Sequence, residues 1–351
     1  MYKWKSNVRS VIPYTPGEQP QIADIVKLNT NENPYPPAPG VKAAIEQFDE
    51  SLLRKYPDPN VTGLVKAIAK AHSVNDDQVF TGVGSDDVIA MAFLTFFNSE
   101  KPILFPDITY SFYDVWANLF KIPFNTPKLD ENFKIVPSDY CVPNGGIIFA
   151  NPNAPTSIEL PISQVESIIK ANQEVVVIID EAYVDFGGTS VLPLIDKYDN
   201  LLVVRTFSKS RSMAGMRIGY AIGNPELISA MNCVKHSYNS YTMNQVTIAS
   251  GIASVEDEAY FNTTRQKIIA TRENYREEIS KLGFTSLESK TNFLFATHEA
   301  MKASEIFEKL KERRIFVRYF NKPRIDNYLR ITIGTDEEME KLMAALREIL
   351  S

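Results

Sequence analysis

The sequence predicts an α/β protein: a largely parallel sheet with helices on both faces, followed by a smaller α+β layer. Two observations predict it. The apolar runs Gly146–Ala150, Val175–Ile179 and Leu201–Val204 are continuous, and helical stretches separate them. That is the pattern of strands buried on both faces. From Gly283 the pattern changes. FTSLES, NFLFAT, IFVRYF and YLRITIG read as strands, interleaved with helices over Ala303–Arg313 and Asp336–Ile349.

Taken in order, residues 1–40 are rich in proline and asparagine (IPYTPGEQP, LNTNENPYPPAPG). Regular helix does not fit between these prolines, so this is an extended arm, packed on the small domain or on a partner subunit. Val41–Leu53 and Gly63–His72 read as helices, with the turn signal RKYPDPN between them. Val79–Thr81 is a short strand. It runs through Gly82-Val83-Gly84-Ser85-Asp86-Asp87 into the apolar helix VIAMAFLTFF. Free N–H groups at such a helix start suit an anion, and Ser85 or Asp86 alternatively caps the helix.

Pro102–Phe105 is the next strand, and Asp107–Leu119 a helix carrying Tyr110, Tyr113 and Trp116. Lys121–Phe124 is a short strand. The strand Gly146–Ala150 ends in Asn151-Pro152-Asn153, and Ile162–Lys170 is a helix. Val175–Ile179 ends in Asp180-Glu181, Leu194–Tyr198 is a short helix, and Leu201–Val204 leads to Thr206-Phe207-Ser208-Lys209-Ser210. Polar residues at the carboxyl ends of parallel strands are where sites form, and Asn153, Asp180 and Lys209 all fall there. Helices over Pro225–Cys233 and Thr242–Ser254 complete the large unit, and a long helix over Ala259–Leu282, polar on one side, connects it to the small one. The expected division is therefore an arm (1–40), a large domain (41–255) and a small one (256–351).

Composition narrows the function. The chain has 351 residues, 44% apolar and 23% charged, with a formal net charge of −6. These are ordinary values for a globular protein. An acidic balance without a basic block argues against a nucleic-acid partner. No apolar run is long enough to span a bilayer, and the start lacks the apolar core of a signal peptide, so the expected location is the cytoplasm. Two cysteines and three scattered histidines suggest neither a disulfide framework nor a zinc site.

The chemistry then falls to Lys209. A lysine beyond a buried strand lies in a cleft, where burial favours the neutral amine, and a neutral amine forms Schiff bases with carbonyls. A carbonyl cofactor there would need a carboxylate for a ring nitrogen, which Asp180 supplies. It would need donors to a phenolate oxygen (Asn153, Tyr183) and a ring to stack on it (Tyr110). For a phosphate it would need Ser85, Asp86, Ser208 and Arg217.

NPNAPTS around Asn153, DEAY with Asp180 and Tyr183, and SKSRSMAGMRIGY around Lys209 together resemble the signature of the pyridoxal phosphate-dependent fold-type I aminotransferases. Order and spacing match from Val41 to Leu350. The LNTNENPYPP arm, RKYPDPN and LRITIGT resemble the histidinol-phosphate aminotransferase branch. The resemblance implies a mostly parallel seven-stranded sheet and pyridoxal 5'-phosphate as cofactor. Lys209 would be the Schiff-base lysine and proton shuttle, Asp180 the partner of the pyridine nitrogen, and Tyr110 the stacking ring. Ser85, Asp86, Ser208, Arg217 and Thr206 would hold the phosphate. Tyr56 would reach the phosphate in a partner subunit, implying a homodimer. Arg330 would bind an α-carboxylate, and Tyr14, Asn31 and Arg318 would line the substrate end.

The substrates implied are small molecules: histidinol phosphate as amino donor and 2-oxoglutarate as 2-oxo acid acceptor. Competing readings are an aromatic amino acid aminotransferase, a threonine-phosphate decarboxylase, and a non-catalytic cofactor-binding regulator. Where the family often has NPNNPTG, this chain has Ala154 at the second asparagine and Ser157 at the glycine. Asn153 then supplies the phenolate contact from the adjacent position, or Tyr183 makes it alone. Arg211 either adds charge near the site or faces solvent. Lys322 and Arg324 either tune the accepted anion or lie on a solvated loop.

Overall fold

The computed structural model describes residues 3–351. Its centre is a seven-stranded sheet in the spatial order Val79–Gly82, Gly219–Gly223, Leu201–Thr206, Val177–Asp180, Ile147–Ala150, Ile103–Leu104, Phe124–Asn125. Gly219–Gly223 runs antiparallel to both neighbours, and every other pairing is parallel. Side-chain alternation along these strands fills two cores at once. Leu201, Val203, Ile147, Phe149, Val177 and Ile179 pack into one core. Leu202, Val204, Ile148 and Ile178 pack into the other, with Phe80, Phe93 and Trp116. That double burial is why the strand sequences are continuously apolar.

A second sheet of four antiparallel strands has the order Arg318–Tyr319, Leu329–Thr332, Phe293–His298, Phe284–Ser286. Its core collects Ile306, Leu310, Leu342 and Leu346 from the helices Ala303–Glu312 and Asp336–Leu350, and Ile268 from Glu258–Ser280. The arm joins this layer. Val26–Lys27 pairs parallel with Ile315–Phe316, and Leu28 is fully buried. No helix of the described residues is long and apolar enough to cross a membrane.

Several boundaries differ from the sequence reading. The first helix spans Pro39–Glu46, and a separate 3₁₀ turn covers Glu50–Arg54, because the Asp49 carboxylate caps Ser51 N–H and restarts the chain. The helix expected from Asp107 begins at Tyr113. Asp107 does not cap it, because its carboxylate accepts from Leu129 N–H at 2.9 Å and faces Arg324. Residues 194–198 form no α-helix; a 3₁₀ turn covers Leu192–Leu194 instead. IFVRYF splits into two short strands that belong to different sheets.

Candidate active site

The carboxyl ends of Val79–Gly82, Val177–Asp180 and Leu201–Thr206 meet at one edge of the large sheet. Nine of the expected residues line a single cavity of about 160 Å³ there: Ser85, Asp86, Tyr110, Asp180, Tyr183, Thr206, Ser208, Lys209 and Arg217. Lys209 reaches it from the turn after its strand. Its Nζ lies 3.3 Å from the Thr30 carbonyl and 5.7 Å from the centre of the Tyr183 ring.

Asp180 is buried with neutral donors only. The Tyr113 hydroxyl donates to it at 2.9 Å and the Ala182 N–H at 3.1 Å. Burial pushes its carboxyl up to about 6 against those two hydrogen bonds. Among the described residues no ion pair reaches it. A buried carboxylate without a cation calls for a positive partner from outside the chain.

At the opposite end, Gly84 precedes the helix Ser85–Phe96 with φ 85°, and a Cβ there would meet the Arg217 guanidinium at 2.4 Å. A Cβ on Gly219 would strike the Gly84 and Ser85 backbone at 2.3 Å. Both glycines therefore keep the helix N-terminus and Arg217 together, with the Thr206 and Ser208 hydroxyls 3.0 Å apart alongside. Free N–H groups, a guanidinium and hydroxyls make an anion cradle. The Asp86 carboxylate faces Arg217 at 3.2 Å and accepts from the Tyr110 hydroxyl at 2.8 Å. Its side chain thus positions both, and only its backbone N–H remains for an anion. Burial, reinforced by Asp86, pushes the Tyr110 phenol well above its ordinary range.

A second cavity of about 580 Å³ holds Tyr14 and Arg318, with Asp107, Thr109 and Phe320. Tyr14 stacks on Phe112 with ring centres 4.4 Å apart. Arg318 faces Arg330 across paired strands. Arg330 packs over the Phe293 and Phe320 rings, and its Nη2 donates to the Asn29 carbonyl at 3.0 Å. Its buried Nε has no partner among the described residues. Burial pulls this guanidinium down from its ordinary range.

Besides Arg330, which lies beneath the second cavity's wall on Phe293 and Phe320, three expected residues are outside these cavities. The Asn153 amide is spent on the Ile108 carbonyl (2.9 Å) and the Thr156 hydroxyl (3.0 Å), and its oxygen accepts from Thr109 at 2.8 Å. Ala154 lines the Lys209 cavity in its place. Asn31 lies beneath the wall. Its amide donates to the Tyr183 oxygen at 2.8 Å and its oxygen accepts from Thr332. Asn31 therefore supports Tyr183 rather than lining the substrate end. Tyr56 is 80% exposed and stacks on Tyr241.

Arg211 neither lines the cavity nor faces solvent. It stacks on Phe261 and donates to the Ser254 carbonyl. Sequence reasoning missed Thr30 and Glu32, which line the Lys209 cavity. Burial alone would raise the Glu32 carboxyl, but hydrogen bonds from Lys27 and Thr30 outweigh it and hold it low. The signal was the charged pair inside the otherwise proline-rich arm.

A family model described as Aminotransferase class I and II matches residues 23–346, and the chain belongs to that family. It is 51% identical over 350 residues to histidinol-phosphate aminotransferase 2 of Dechloromonas aromatica, covering 99% of this chain and 98% of that protein. It is 50% identical to histidinol-phosphate aminotransferase of Lactococcus lactis, covering 99% and 96%. A crystal structure of histidinol-phosphate aminotransferase from Sinorhizobium meliloti in complex with pyridoxal-5'-phosphate is similar with a TM-score of 0.84. It is 25% identical, over 92% of this chain and 90% of that one.

Proposed function

We propose that this chain is a histidinol-phosphate aminotransferase. It moves the amino group of L-histidinol phosphate to 2-oxoglutarate, giving imidazole acetol phosphate and L-glutamate, with pyridoxal 5'-phosphate held in the Lys209 cavity. The observation that carries the reading is the charge pattern of that cavity. Among the described residues, a lysine bonded only to a carbonyl and a buried carboxylate without an ion pair share one small space, closed at one end by an anion cradle.

The residues fit the cofactor. Asp180 takes the ring nitrogen, supplying the carboxylate that otherwise lacks a cation. The N–H groups of Ser85 and Asp86, the hydroxyls of Thr206 and Ser208, and Arg217 take the phosphate. Tyr110 stacks on the ring. With Ala154 beside it, Tyr183 makes the phenolate contact alone. When bound, pyridoxal 5'-phosphate supplies an electrophilic carbonyl and a ring that accepts the electron pair released at the substrate carbon. Lys209 Nζ removes the proton from the carbon bearing the amine and returns it on the other side of the exchange. Arg330, with its unspent Nε, binds the α-carboxylate of glutamate, and Arg318 with Tyr14 receives the distal anion.

The arm (1–40), large unit (41–255) and small unit (256–351) act together, and two copies form the working enzyme. Tyr56, Leu53 and Tyr238 are large apolar side chains exposed on one chain. A second copy covers them, and Tyr56 reaches that copy's phosphate cradle.

The test is the visible spectrum of the cofactor-loaded protein. Histidinol phosphate added without a keto acid should abolish the cofactor's lysine-bound band, and 2-oxoglutarate should restore it. An unchanged band would overturn the substrate assignment and direct the search to aromatic donors or to threonine phosphate.

A further inference from the structure

The segment between Arg318 and Arg330 leaves the small sheet and reaches the loops of the large unit around Asp107 and Leu129–Phe133. Its two base residues are partners in register, so the strand ladder sets their spacing, and the seating of the segment sets where the pair stands against the large unit. Arg324 stands near its tip with φ 71°, a left-handed conformation that arginine keeps only where contacts hold it.

Those contacts all come from the large unit. Nη1 lies 3.2 Å from the Asp107 carboxylate, and Nη2 donates to the carbonyls of Leu129 (3.0 Å) and Asp130 (2.6 Å). The guanidinium packs over the Phe133 ring. Beside it, Ile325 is buried in the large core. Tyr328 stacks on Phe295 and meets Phe133 edge-on. On the other side, the second Asp107 oxygen accepts from Leu129 N–H, and three residues beyond Asp107 stands Tyr110. A lone exposed ion pair fixes little. Here three acceptors, one aromatic face and a left-handed backbone leave the guanidinium one orientation.

We propose that Arg324 is a positioning residue for the substrate end. Clamped on Asp107 and on the 129–130 carbonyls, it holds the Arg318–Arg330 segment against the wall that carries Tyr110, so that the paired arginines meet the substrate's anions at a fixed distance from that wall. Three of its five N–H donors are held by Asp107, Leu129 and Asp130; it borders the same cavity as Tyr14 and Arg318, and its part there is to hold the segment rather than to bind the substrate. The inference rests on the aminotransferase reading above and adds to it a residue that sets affinity without taking part in the proton transfer.

The experiment uses the cofactor-loaded enzyme and three variants: Arg324→Ala, Arg324→Lys and Asp107→Asn. Arg324→Ala should raise KM for both substrates about tenfold, the scale of a lost charge-assisted hydrogen-bond set, with kcat within about twofold. Arg324→Lys keeps one ion pair but cannot bridge two carbonyls, so its KM should fall between. Asp107→Asn should also raise KM, and combining it with Arg324→Ala should add little.

Asp107→Asn is the decisive variant. Were Arg324 a direct ligand of the substrate, freeing it from Asp107 would lower KM or leave it unchanged, and that result overturns the proposal. A full additive effect in the double variant overturns it as well. Should Arg324→Ala fail to fold, the near-isosteric Asp107→Asn still decides. Should the wild type not use histidinol phosphate, the substrate assignment fails on its own, and the clamp is judged on the KM for glutamate.

Discussion

Asp180 and Glu181 are adjacent in sequence, both buried, and in opposite circumstances. Glu181 is satisfied by the protein. Its carboxylate accepts from Arg205 at 2.8 and 3.0 Å, from the Ser190 hydroxyl at 2.8 Å and from Val191 N–H at 2.6 Å. Asp180 has one phenol and one backbone N–H. Burial raises both carboxyls, but only for Glu181 does a buried arginine oppose it. The same contrast divides two arginines. Arg205 is spent on Glu181, Asp185 and Ser190, whereas Arg330 keeps a buried Nε without a partner among the described residues. Burial alone therefore does not mark a functional charge. A buried charge that the chain itself leaves unpaired does.

The comparison is broken most severely at Lys209, which lines the same cavity as Asp180. Lys209→Ala should abolish turnover while the protein still folds, and near wild-type turnover in a steady-state assay would remove the mechanism. Next come the two carboxylates. Asp180→Asn should lower kcat by about 10²–10³, the scale of a lost preorganised electrostatic partner, with no loss of thermal stability. Glu181→Gln should do the reverse. It takes from buried Arg205 the nearer of its two carboxylates, leaving Asp185 at 3.6 Å, which costs up to about 3 kcal/mol of stability, and leaves activity per folded molecule near wild type. Paired melting and kinetic measurements on the two variants check this, and equal patterns would erase the distinction.

Much of this was legible in the sequence because one physical rule governs it. Strands buried on both faces read as unbroken apolar runs, and the first polar residue after each run lands at one edge. Asp180 and Lys209 were found that way. Asn153 was misplaced because the same rule says where a residue sits and not which way it points. Its amide turns to Ile108 and Thr156, and Ala154 takes the cavity position. The second cavity had no periodic signal. It is assembled from Tyr14 on the arm, the 107–118 segment and the loop after Arg318, three stretches whose meeting depends on tertiary packing. Arg324 was left open for that reason. Its three acceptors lie some two hundred residues away in the chain.

The pH dependence of stability sharpens the contrast further. Asp180 has a folded-state value of about 6 against 3.8 for the free side chain. The folded form thus binds the proton more tightly than the unfolded one. Its contribution is favourable at low pH and is lost as pH rises from about 4 to about 6, on the order of 3 kcal/mol in all. In cofactor-free protein, the stability difference between wild type and Asp180→Asn should therefore change across that window and flatten above it. Glu181 is common to both proteins and cancels. Restoring the cofactor should shrink the difference, since a ring nitrogen then supplies the missing positive charge. A difference that stays constant from pH 4 to 7 would mean that Asp180 is already compensated inside the chain.

The smallest effect concerns Arg330. Its guanidinium is held by the Asn29 carbonyl and two aromatic rings, so truncation removes binding capacity more than structure. Glutamate carries an α-carboxylate and histidinol phosphate does not. Arg330→Ala should therefore raise KM for glutamate by about tenfold, the loss of a charge-assisted contact, and raise KM for histidinol phosphate by less. Separate half-reaction titrations read each substrate alone. Equal shifts would mean that Arg330 acts through Arg318, its partner in register, and that the two arginines form one anion site rather than two.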